Sequence, residues 1–534
     1  MGGSTDKETA GLPAQVDVKQ APSLIRNVVS NWAGLAAAVI YSLVITPVVV
    51  RALDREAYGI WSFLNGLVAY SSLFYLGLGA ALVKYVSQYY AVGDRAALNR
   101  LVSVVLTVYV GLGVATLTAG LLVAPSVPRM LLTGEAVTPA ATVSLTVVVL
   151  AARVALMFVG SVFSGILVAQ GRTDRYRSVT VAGHLGRLLI VPIAVQAPDP
   201  LLALALVVGL TGAVEVSAMG LIAAHQDRDL RYRIVIPIGS ELRILYRFGF
   251  LAFLLQVGNQ LISYTDTTVI GLILGPKDVA LYVLPLQLAE YGRIVVFGIV
   301  SVMLPHLSAL LATGRLASFQ FLHQRTLKTT ALVAVFVNSS ILWLGQGFLR
   351  VWVGPTFSEH ALPVLVALAI ASVAQAVAVQ SQTPFCLALG RVRFAAIVLV
   401  VEGMANLALS IVLAPRFGIS GVAAATAITA VLMSGAILPV HVARQVGTPV
   451  WALMRTVAGP IAIFTVAVTA GHLGLSLAMP GASYLTLAAK LAIAAVIALA
   501  VGWRVVTDSE RRVVKTIVAR SHRSVLAAFR RSRI

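Results

Sequence analysis

Apolar runs of about 20 or more residues recur along this chain, from near Val28 to its C-terminal region. A helix of that length crosses the hydrocarbon of a bilayer and satisfies its own backbone hydrogen bonds there. Only 11% of the residues are charged and 59% are hydrophobic, whereas a soluble domain is about 25% charged. The sequence therefore predicts an all-α, polytopic membrane protein.

The apolar runs predict fourteen transmembrane helices joined by short loops. Several runs exceed the roughly 20 residues that a bilayer needs, so we expect tilt or extension beyond the membrane. No loop on the predicted outer side has room for a folded catalytic domain. The predicted spans are 29–50, 58–83, 101–124, 140–169, 178–196, 201–224, 247–274, 280–311, 328–349, 361–388, 393–414, 419–443, 453–473 and 484–506.

Basic residues are distributed unequally between the two sets of loops. With the N-terminus inside, 30 of the 40 Lys and Arg residues fall on the cytoplasmic side and 6 on the opposite side. Cytoplasmic loops accumulate Lys and Arg, so this ratio predicts that both termini are cytoplasmic. The same rule explains the net charge of +20. We expect no nucleic acid partner, because the chain has no long soluble basic domain to hold one.

The two ends of the chain differ from its centre. Residues 1–23 are polar and irregular, which predicts a disordered cytoplasmic N-terminus. Residues 507–534 combine an apolar stripe with many Arg and Lys residues, which predicts a basic amphipathic helix in the cytoplasm. Anionic lipids of the inner leaflet are the expected partner of this tail. Docking of a partner protein is the alternative.

The chain contains an internal duplication. Ala52–Trp61 (ALDREAYGIW) aligns without a gap with Ile273–Tyr282 (ILGPKDVALY) at an offset of 221, and loop glycines and arginines agree farther along. Each half holds six predicted spans, so both start on the same side of the membrane, as parallel repeats do. We predict a transporter with an N-lobe at 24–228, a cytoplasmic linker at 229–246, a C-lobe at 247–447 and two accessory spans at 448–506.

A polar stripe crosses the first predicted span of the C-lobe. Spaced at i, i+3, i+7 and i+10 on one helical face, its members are Gln256, Asn259, Ser263 and Asp266. Hydrocarbon cannot satisfy such a face, so it must look into protein or a water-filled cavity. We expect Asp266 to act in ion or proton coupling or in gating. Hydrogen bonding to a neighbouring helix is the alternative.

Charged side chains lie within other predicted spans as well. A charge at mid-span costs roughly 2.5–3.5 kcal/mol, so each needs a partner or water. Glu290 and Arg293 lie three residues apart, which predicts either a local ion pair or a role in a cavity. Arg153 and Arg187 either meet an anionic headgroup as cavity bases, or snorkel or pair with an acid. Glu215 is expected to pair with an arginine of an adjacent helix.

Three further charges carry weaker expectations. Lys84 and Arg26 lie near the inner ends of the first two predicted spans, where snorkelling and ligand binding are both open. Glu402 is expected to pair with an arginine of an adjacent helix.

Motifs of soluble enzymes are absent. The sequence has no Walker A motif, and its single cysteine, Cys386, rules out an intramolecular disulfide. No Cys and His residues have the spacing of a metal site. We therefore predict a protein that is not an enzyme, with no cofactor and no metal.

Three segments resemble a known family. Val48–Trp61 (VVVRALDREAYGIW) and Leu76–Tyr89 (LGLGAALVKYVSQY) resemble the opening of polysaccharide-transport proteins of the O-antigen flippase type. Thr265–Tyr282 (TDTTVIGLILGPKDVALY) resembles the seventh span and following loop of the same family. This family belongs to the multidrug/oligosaccharidyl-lipid/polysaccharide (MOP) exporter superfamily. The resemblance extends from Ser23 to about Val506, and six, six and two spans fit it.

The resemblance implies a flippase of the bacterial cytoplasmic membrane that serves cell-surface polysaccharide synthesis. Its substrate would be an oligosaccharide on polyprenyl pyrophosphate, moved from the inner to the outer leaflet by alternating access of a central cavity. The polysaccharide polymerase machinery is a further implied partner. The family cavity is commonly cationic, so the substrate-binding residues would be Arg26, Lys84, Arg153, Arg187 and Arg293. The predicted coupling or gating residues are Asp266, Glu290 and Asn259.

Two other classes of function compete with this interpretation. A cation-coupled multidrug or small-molecule antiporter of the same superfamily often uses a carboxylate in the first span, and Ser30–Val50 contains none. A membrane glycosyltransferase, polymerase or ligase would need a sizeable external loop with acids, arginines or histidines, and the sequence offers none.

Overall fold

The structure of the chain is a computed structural model that describes residues 21–75, 77–132, 137–300 and 303–505. Throughout these residues the regular structure is helical, without a strand, which confirms the all-α prediction. The last three residues of the predicted disordered segment 1–23 belong to a helix, and the others lie outside the described residues. The predicted tail helix at 507–534 lies wholly outside them.

The described residues of the N-terminal half form eight α-helices and a 3₁₀ helix at Ser71–Tyr75. Three of these helices are capped by an aspartate that accepts the backbone N–H of the residue three positions later. The aspartates are Asp54 for the second helix, Asp94 for the fourth and Asp199 for the eighth. The helices are α1 (Ala21–Ala52), α2 (Arg55–Tyr70), α3 (Leu78–Val92), α4 (Arg95–Val123), α5 (Val127–Leu131), α6 (Ala140–Ala169), α7 (Thr173–Ala194) and α8 (Pro200–Gln226).

The C-terminal part contains eleven helices by the same numbering, two of them followed by π-helical segments at Ala376–Gln380 and Ala430–Ile437. They are α9 (Gly239–Ile273), α10 (Pro276–Val300), α11 (Met303–Ala312), α12 (Leu316–Trp352), α13 (Pro355–Ser358), α14 (Ala361–Gln375), α15 (Ser381–Ala388), α16 (Arg393–Thr429), α17 (Leu438–Val446), α18 (Val450–Ala478) and α19 (Tyr484–Val505).

Nine helical segments of the described residues are long and apolar enough to cross a bilayer, or ten if α2 and α3, bent by 44°, form one span. One of the nine, Arg393–Val446, contains the two predicted spans 393–414 and 419–443. They are separated by a kink at Gly418 (φ 59°, ψ −146°), a conformation that suits only glycine. The multi-pass architecture is confirmed, and the count of fourteen spans stays a prediction.

Helices of the same half pack extensively on one another. In the N-terminal half, α6 packs on α4 and α8, and α1 packs on α7; in the C-terminal half, α9 packs on α16. The two halves meet chiefly where α2 contacts α9 and α10 and where α3 contacts α9. We keep the names N-lobe and C-lobe for the units predicted at 24–228 and 247–447. The bundle end with the loops 93–94, 171–172 and 227–238 is called the basic end, and the opposite end the far end.

The segment 227–238, here called the strap, crosses the basic end without regular structure. It starts with a turn in which the amide of Leu230 donates to the carbonyl of Asp227. Its backbone follows a ladder of polar side chains on α4, which accept from the amides of Arg231, Arg233 and Val235: Asn99, Ser103 and Thr107. The strap ends at α9, which begins eight residues before the predicted boundary at 247. Glu241 explains the earlier start, because its carboxylate accepts the amide of Ile238 and pairs with Arg100.

Candidate functional site: a cavity between the two lobes

A cavity of about 560 Å³, here called the central cavity, lies between the two lobes. Its walls come from α1, α2, α6, α7 and α8 of the N-lobe and from α9 and α10 of the C-lobe. Two basic side chains, Arg153 and Arg187, line it from the N-lobe, and Glu290 lines it from the C-lobe. The remaining lining is aromatic, aliphatic and small polar. The structure thus brings three of the predicted site residues into one cavity.

Arg187 is only 8% exposed, and two residues of α8 hold its side chain. Its guanidinium forms an ion pair with Glu215 of α8, and its Nε donates to Thr211 Oγ1 at 2.9 Å. Gly183 leaves the space that this carboxylate fills, because a Cβ there would lie 1.7 Å from a Glu215 oxygen. The pairing alternative is therefore the observed one for Arg187, although the side chain still reaches the cavity wall.

Arg153 lines the same cavity, but unlike Arg187 it is not held by an ion pair with a described residue. Its buried Nε has no hydrogen-bond partner among the described residues either. Gly212 of α8 lies against its stem, since a Cβ at that glycine would be 3.6 Å from Arg153 Cγ. Arg153 is therefore the cavity base with unused hydrogen-bonding capacity, which suits an anionic ligand.

Glu290 and Arg293 form the predicted ion pair on one helix, at 3.0 Å. They line different cavities, because Arg293 lies in the wall of a second cavity of about 450 Å³ together with Asn259 of α9. The amide of Asn259 also donates to the carbonyl of Leu255 at 2.9 Å. The predicted ion pair is therefore observed, and a role of these two residues in a cavity stays a prediction.

The two remaining predicted bases are not seen in these walls. The Lys84 ammonium lies 5.0 Å from the centre of the Tyr85 ring, and Lys84 lines neither cavity. Substrate binding by Lys84 stays a prediction, as does the alternative of snorkelling. Arg26 belongs to α1, but its side chain lies outside the described part of the chain.

Asp266 lies away from both cavities and is 2% exposed. Its carboxylate accepts hydrogen bonds from Tyr282 Oη at 2.5 Å, Asn406 Nδ2 at 2.7 Å and Thr426 Oγ1 at 2.6 Å. These donors come from α10 and from both sides of the kink in α16, and all are neutral. We call this cluster the Asp266 nest. The alternative of hydrogen bonding to neighbouring helices is the observed one, and a role in coupling stays a prediction.

Glutamine side chains bridge the lobes around the central cavity, and sequence reasoning missed them. Gln260 Nε2 donates to the Ser72 hydroxyl and to a backbone carbonyl of α2. Gln287 Nε2 donates to Ser42 Oγ at 2.6 Å and to Thr46 Oγ1 at 3.1 Å. A signal existed for Gln260, which lies four residues after Gln256 and extends the polar stripe.

Two ion pairs join the lobes at the far end. Arg55 at the start of α2 pairs with Asp278 at 3.4 Å, and Lys277 at the start of α10 pairs with Glu56 at 3.5 Å. Glu56 and Lys277 occupy equivalent positions of the internal repeat, since 277 − 56 equals the offset of 221. The N-termini of the two repeat-related helices therefore meet each other and close the far end of the cavity.

This closure also depends on one glycine. A Cβ at Gly59 would lie 1.8 Å from the carbonyl oxygen of Pro276 and 2.5 Å from its carbonyl carbon. Both are backbone atoms, so they cannot move aside as a flexible side chain would. Gly59 is thus required for the approach of α2 to α10 at the far end.

An apolar groove of about 580 Å³ runs along the outside of the central cavity, between α1, α10, α12 and α19. Its lining includes Leu43, Tyr291, Phe348 and Ala488, and is almost wholly aliphatic and aromatic. Tyr291 links the groove to the cavity, because its hydroxyl donates to Ser42, a cavity residue, at 2.8 Å. Only α1 and α10 separate the two spaces.

The family model described as "Polysaccharide biosynthesis protein" matches residues 24–311. The chain belongs to this family. A relative in Bacillus subtilis (strain 168), the uncharacterized membrane protein EpsK, is 22% identical over 454 residues, which is 82% of this chain and 86% of the relative.

Two solved structures share the fold of this chain. An inward-facing multidrug resistance MATE family transporter of the MOP superfamily matches with a TM-score of 0.67 and 16% identity, over 78% of this chain and 95% of that chain. The lipid II flippase MurJ in an inward closed conformation matches with a TM-score of 0.66 and 11% identity, over 90% and 98%. The family match confirms the family resemblance seen in the sequence, and the two structures show that the chain shares their fold.

Proposed function

We propose that this protein is a flippase that moves an oligosaccharide linked to polyprenyl pyrophosphate from the inner to the outer leaflet by alternating access. The observation that carries the proposal is the central cavity between the lobes, with Arg153 and Arg187 in its wall. Family membership and the fold shared with a lipid II flippase support it. The membrane is the bacterial cytoplasmic membrane, with both termini in the cytoplasm, as the basic loops indicate.

The cavity suits the headgroup of such a substrate. A pyrophosphate loses its hydration when it enters hydrocarbon, which is prohibitive without replacement partners. Arginine replaces that water well, because its planar guanidinium binds phosphate oxygens through two parallel hydrogen bonds. Arg153 supplies the free donors, and Arg187, held in place by Glu215, adds a fixed positive field.

The apolar groove suits the lipid tail. A polyprenyl chain need not leave the membrane interior while its headgroup crosses, so it needs an apolar path beside the cavity. The groove offers about 580 Å³ of such space and is separated from the cavity by two helices only. Rocking of the lobes about the cavity would expose the headgroup to one side and then the other.

The Asp266 nest supports coupling to an ion gradient. A buried carboxylate without a basic partner is stabilised further when it takes up a proton and becomes a neutral acid, or when a small cation lies beside it. Its donors lie on α10 and on both sides of the kink in α16, so occupation of the nest would bear on the shape of the C-lobe.

Asp266→Asn is expected to lower the transport rate by roughly 5- to 150-fold, the usual range of a coupling free energy, and to remove the dependence on sodium or pH. The measurement is transport by reconstituted protein under imposed sodium or proton gradients. Asp229→Asn, an exposed change in the strap, is the matched control. A variant that keeps the wild-type dependence on both ions would exclude Asp266 from coupling.

The proposed function is tested with purified protein in liposomes that contain fluorescently labelled polyprenyl-pyrophosphate oligosaccharide. The measurement is the fraction of the labelled lipid that an impermeant quencher can reach. We expect protein-dependent movement of this lipid and none of a labelled phospholipid. Ala488→Trp, which fills the groove, should slow it, whereas Leu485→Trp on the exposed face of the same helix should not. Movement of free organic cations without movement of the lipid would instead establish the alternative, a multidrug or small-molecule antiporter.

The proposal also assigns partners outside the cavity. The lipid-linked oligosaccharide would be handed to polysaccharide polymerase machinery on the outer side. The tail at 507–534, with its many basic residues, would bind anionic lipids of the inner leaflet.

A further inference from the structure

A second buried carboxylate lies inside the C-lobe, at Glu402. It is 1% exposed and sits on α16, one helical turn before the Asn406 of the Asp266 nest. The Ser434 hydroxyl donates to one carboxylate oxygen, and Gln375 Nε2 donates to the other at 3.4 Å. The expected arginine partner is absent among the described residues, so the pairing predicted from the sequence is wrong.

The charged groups on the helices around Glu402 are few. The closest element, α9, contributes Asp266 one turn farther along, which is of the same sign. From α10, Arg293 lies in the wall of the second cavity, as Gln375 does. Neither 361–375 nor 430–437 contains a titratable side chain. An ionised Glu402 would therefore be stabilised by neutral dipoles alone, at a position where a charge is costly.

Gln375 connects the Glu402 carboxylate to the second cavity. Its side chain is in the wall of the second cavity, beside Arg293 and Asn259, and it also contacts Glu402. A primary amide can turn either its NH₂ group or its carbonyl oxygen towards a carboxyl group. It can therefore donate to the ionised form of Glu402 and accept from the protonated form.

The backbone around Glu402 is irregular on both flanking helices. A π-helical segment begins directly after Gln375, and the other contains Ser434. Single π-turns within long helices are uncommon and are found mostly at functional sites. Two π-helical segments next to one buried carboxylate therefore indicate a functional position.

We propose that Glu402 is a proton-binding site of the C-lobe, loaded from the second cavity at Gln375. The carboxylate takes one proton and becomes a neutral acid, and its new hydroxyl donates to the amide oxygen of Gln375. The proton is supplied by water in the second cavity and returns there on release. The role of such a proton in transport rests on the proposed flippase function, whereas its binding does not.

Infrared difference spectroscopy of the purified full-length protein tests this directly. A step from alkaline to acidic buffer should produce the carbonyl stretch of a buried carboxylic acid in the wild type and in Asp266→Asn. Glu402→Gln, which keeps the size and most hydrogen bonds of the side chain, should remove it. Glu359→Gln, an exposed acid in the short loop before α14, is the matched control and should leave the band unchanged.

A second variant tests the proposal independently, in case Glu402→Gln does not fold. Gln375→Ala leaves the carboxyl group in place and should shift the frequency of the same band, because the acid loses its acceptor. A pH-dependent spectrum of Glu402→Gln identical to that of the wild type would overturn the proposal. The band can be present when no lipid movement is found in liposomes, so failure of the flippase proposal would be recognised separately.

Discussion

Arg153→Ala is expected to slow movement of the lipid-linked oligosaccharide by about 10- to 100-fold without loss of the folded protein. Hydrogen bonds to charged groups contribute about 1.5–3 kcal/mol each, and every 1.4 kcal/mol corresponds to about tenfold. Arg153 forms no ion pair with a described residue, so its removal leaves no buried carboxylate without a partner. The loss would therefore fall on ligand binding and not on stability.

The measurement is the initial rate of lipid movement in liposomes, with thermal unfolding of the same samples as the test of integrity. Arg153→Lys should recover only part of the rate, because an ammonium group cannot form the two parallel bonds of a guanidinium. Arg129→Ala, an exposed arginine on α5, is the matched control and should behave as the wild type. Wild-type rates in Arg153→Ala would remove this residue from the site.

Arg187 needs a different design, because it is paired. Arg187→Ala alone would leave the Glu215 carboxylate without its partner, which is a destabilising change in its own right. The double variant Arg187→Gln with Glu215→Gln removes both charges and retains hydrogen-bonding groups. Comparison of this double variant with Arg153→Ala separates the fixed field of the pair from direct contact with the substrate.

Gly59→Val is expected to keep the far end open and to abolish transport. A Cβ at this position would lie 1.8 Å from the Pro276 carbonyl oxygen, so α2 and α10 cannot approach as they do here. The clash is with backbone, and only separation of the two helices relieves it. The ion pairs of Arg55 and Glu56 across the same contact would then be lost together.

Opening is measured as the distance between spin labels at two exposed far-end positions, Arg129→Cys in the N-lobe and Glu359→Cys in the C-lobe, on a Cys386→Ser background. The distance distribution should shift to longer values in Gly59→Val. Gly111→Val introduces the same side chain on α4, where no atom lies within 4 Å of the added Cβ, and should change neither distance nor transport. An unchanged distribution in Gly59→Val would show that this contact does not hold the far end closed.

Periodicity predicted much of the fold and a part of the site. The apolar runs predicted the membrane helices, and the three-residue spacing of Glu290 and Arg293 predicted their ion pair. The spacing of the polar stripe correctly placed Asp266 on a face that avoids lipid. It did not indicate which protein groups that face meets. Those groups, Asn406 and Thr426, are 140 and 160 residues away in the chain.

The internal repeat shows the same limit. The alignment at an offset of 221 put Glu56 opposite Lys277 as equivalent positions. Equivalence states that two residues have similar surroundings, and it does not state that they touch. Their ion pair arises because the repeat-related helices meet at the far end, which is a property of how the lobes pack. The π-helical segments and the strap on α4 likewise depend on tertiary contacts that local sequence does not encode.

The strap at 227–238 determines where the protein can swivel. Its backbone is bonded to Asn99, Ser103 and Thr107, and Glu241 at the start of α9 still pairs with Arg100. The strap is therefore bound to the N-lobe along its length. We expect the C-lobe to rotate relative to the N-lobe about a point just beyond Glu241. From there α9, 35 residues long in total, acts as a lever arm. A movement of this helix would shift the wall of the second cavity and the Asp266 nest together.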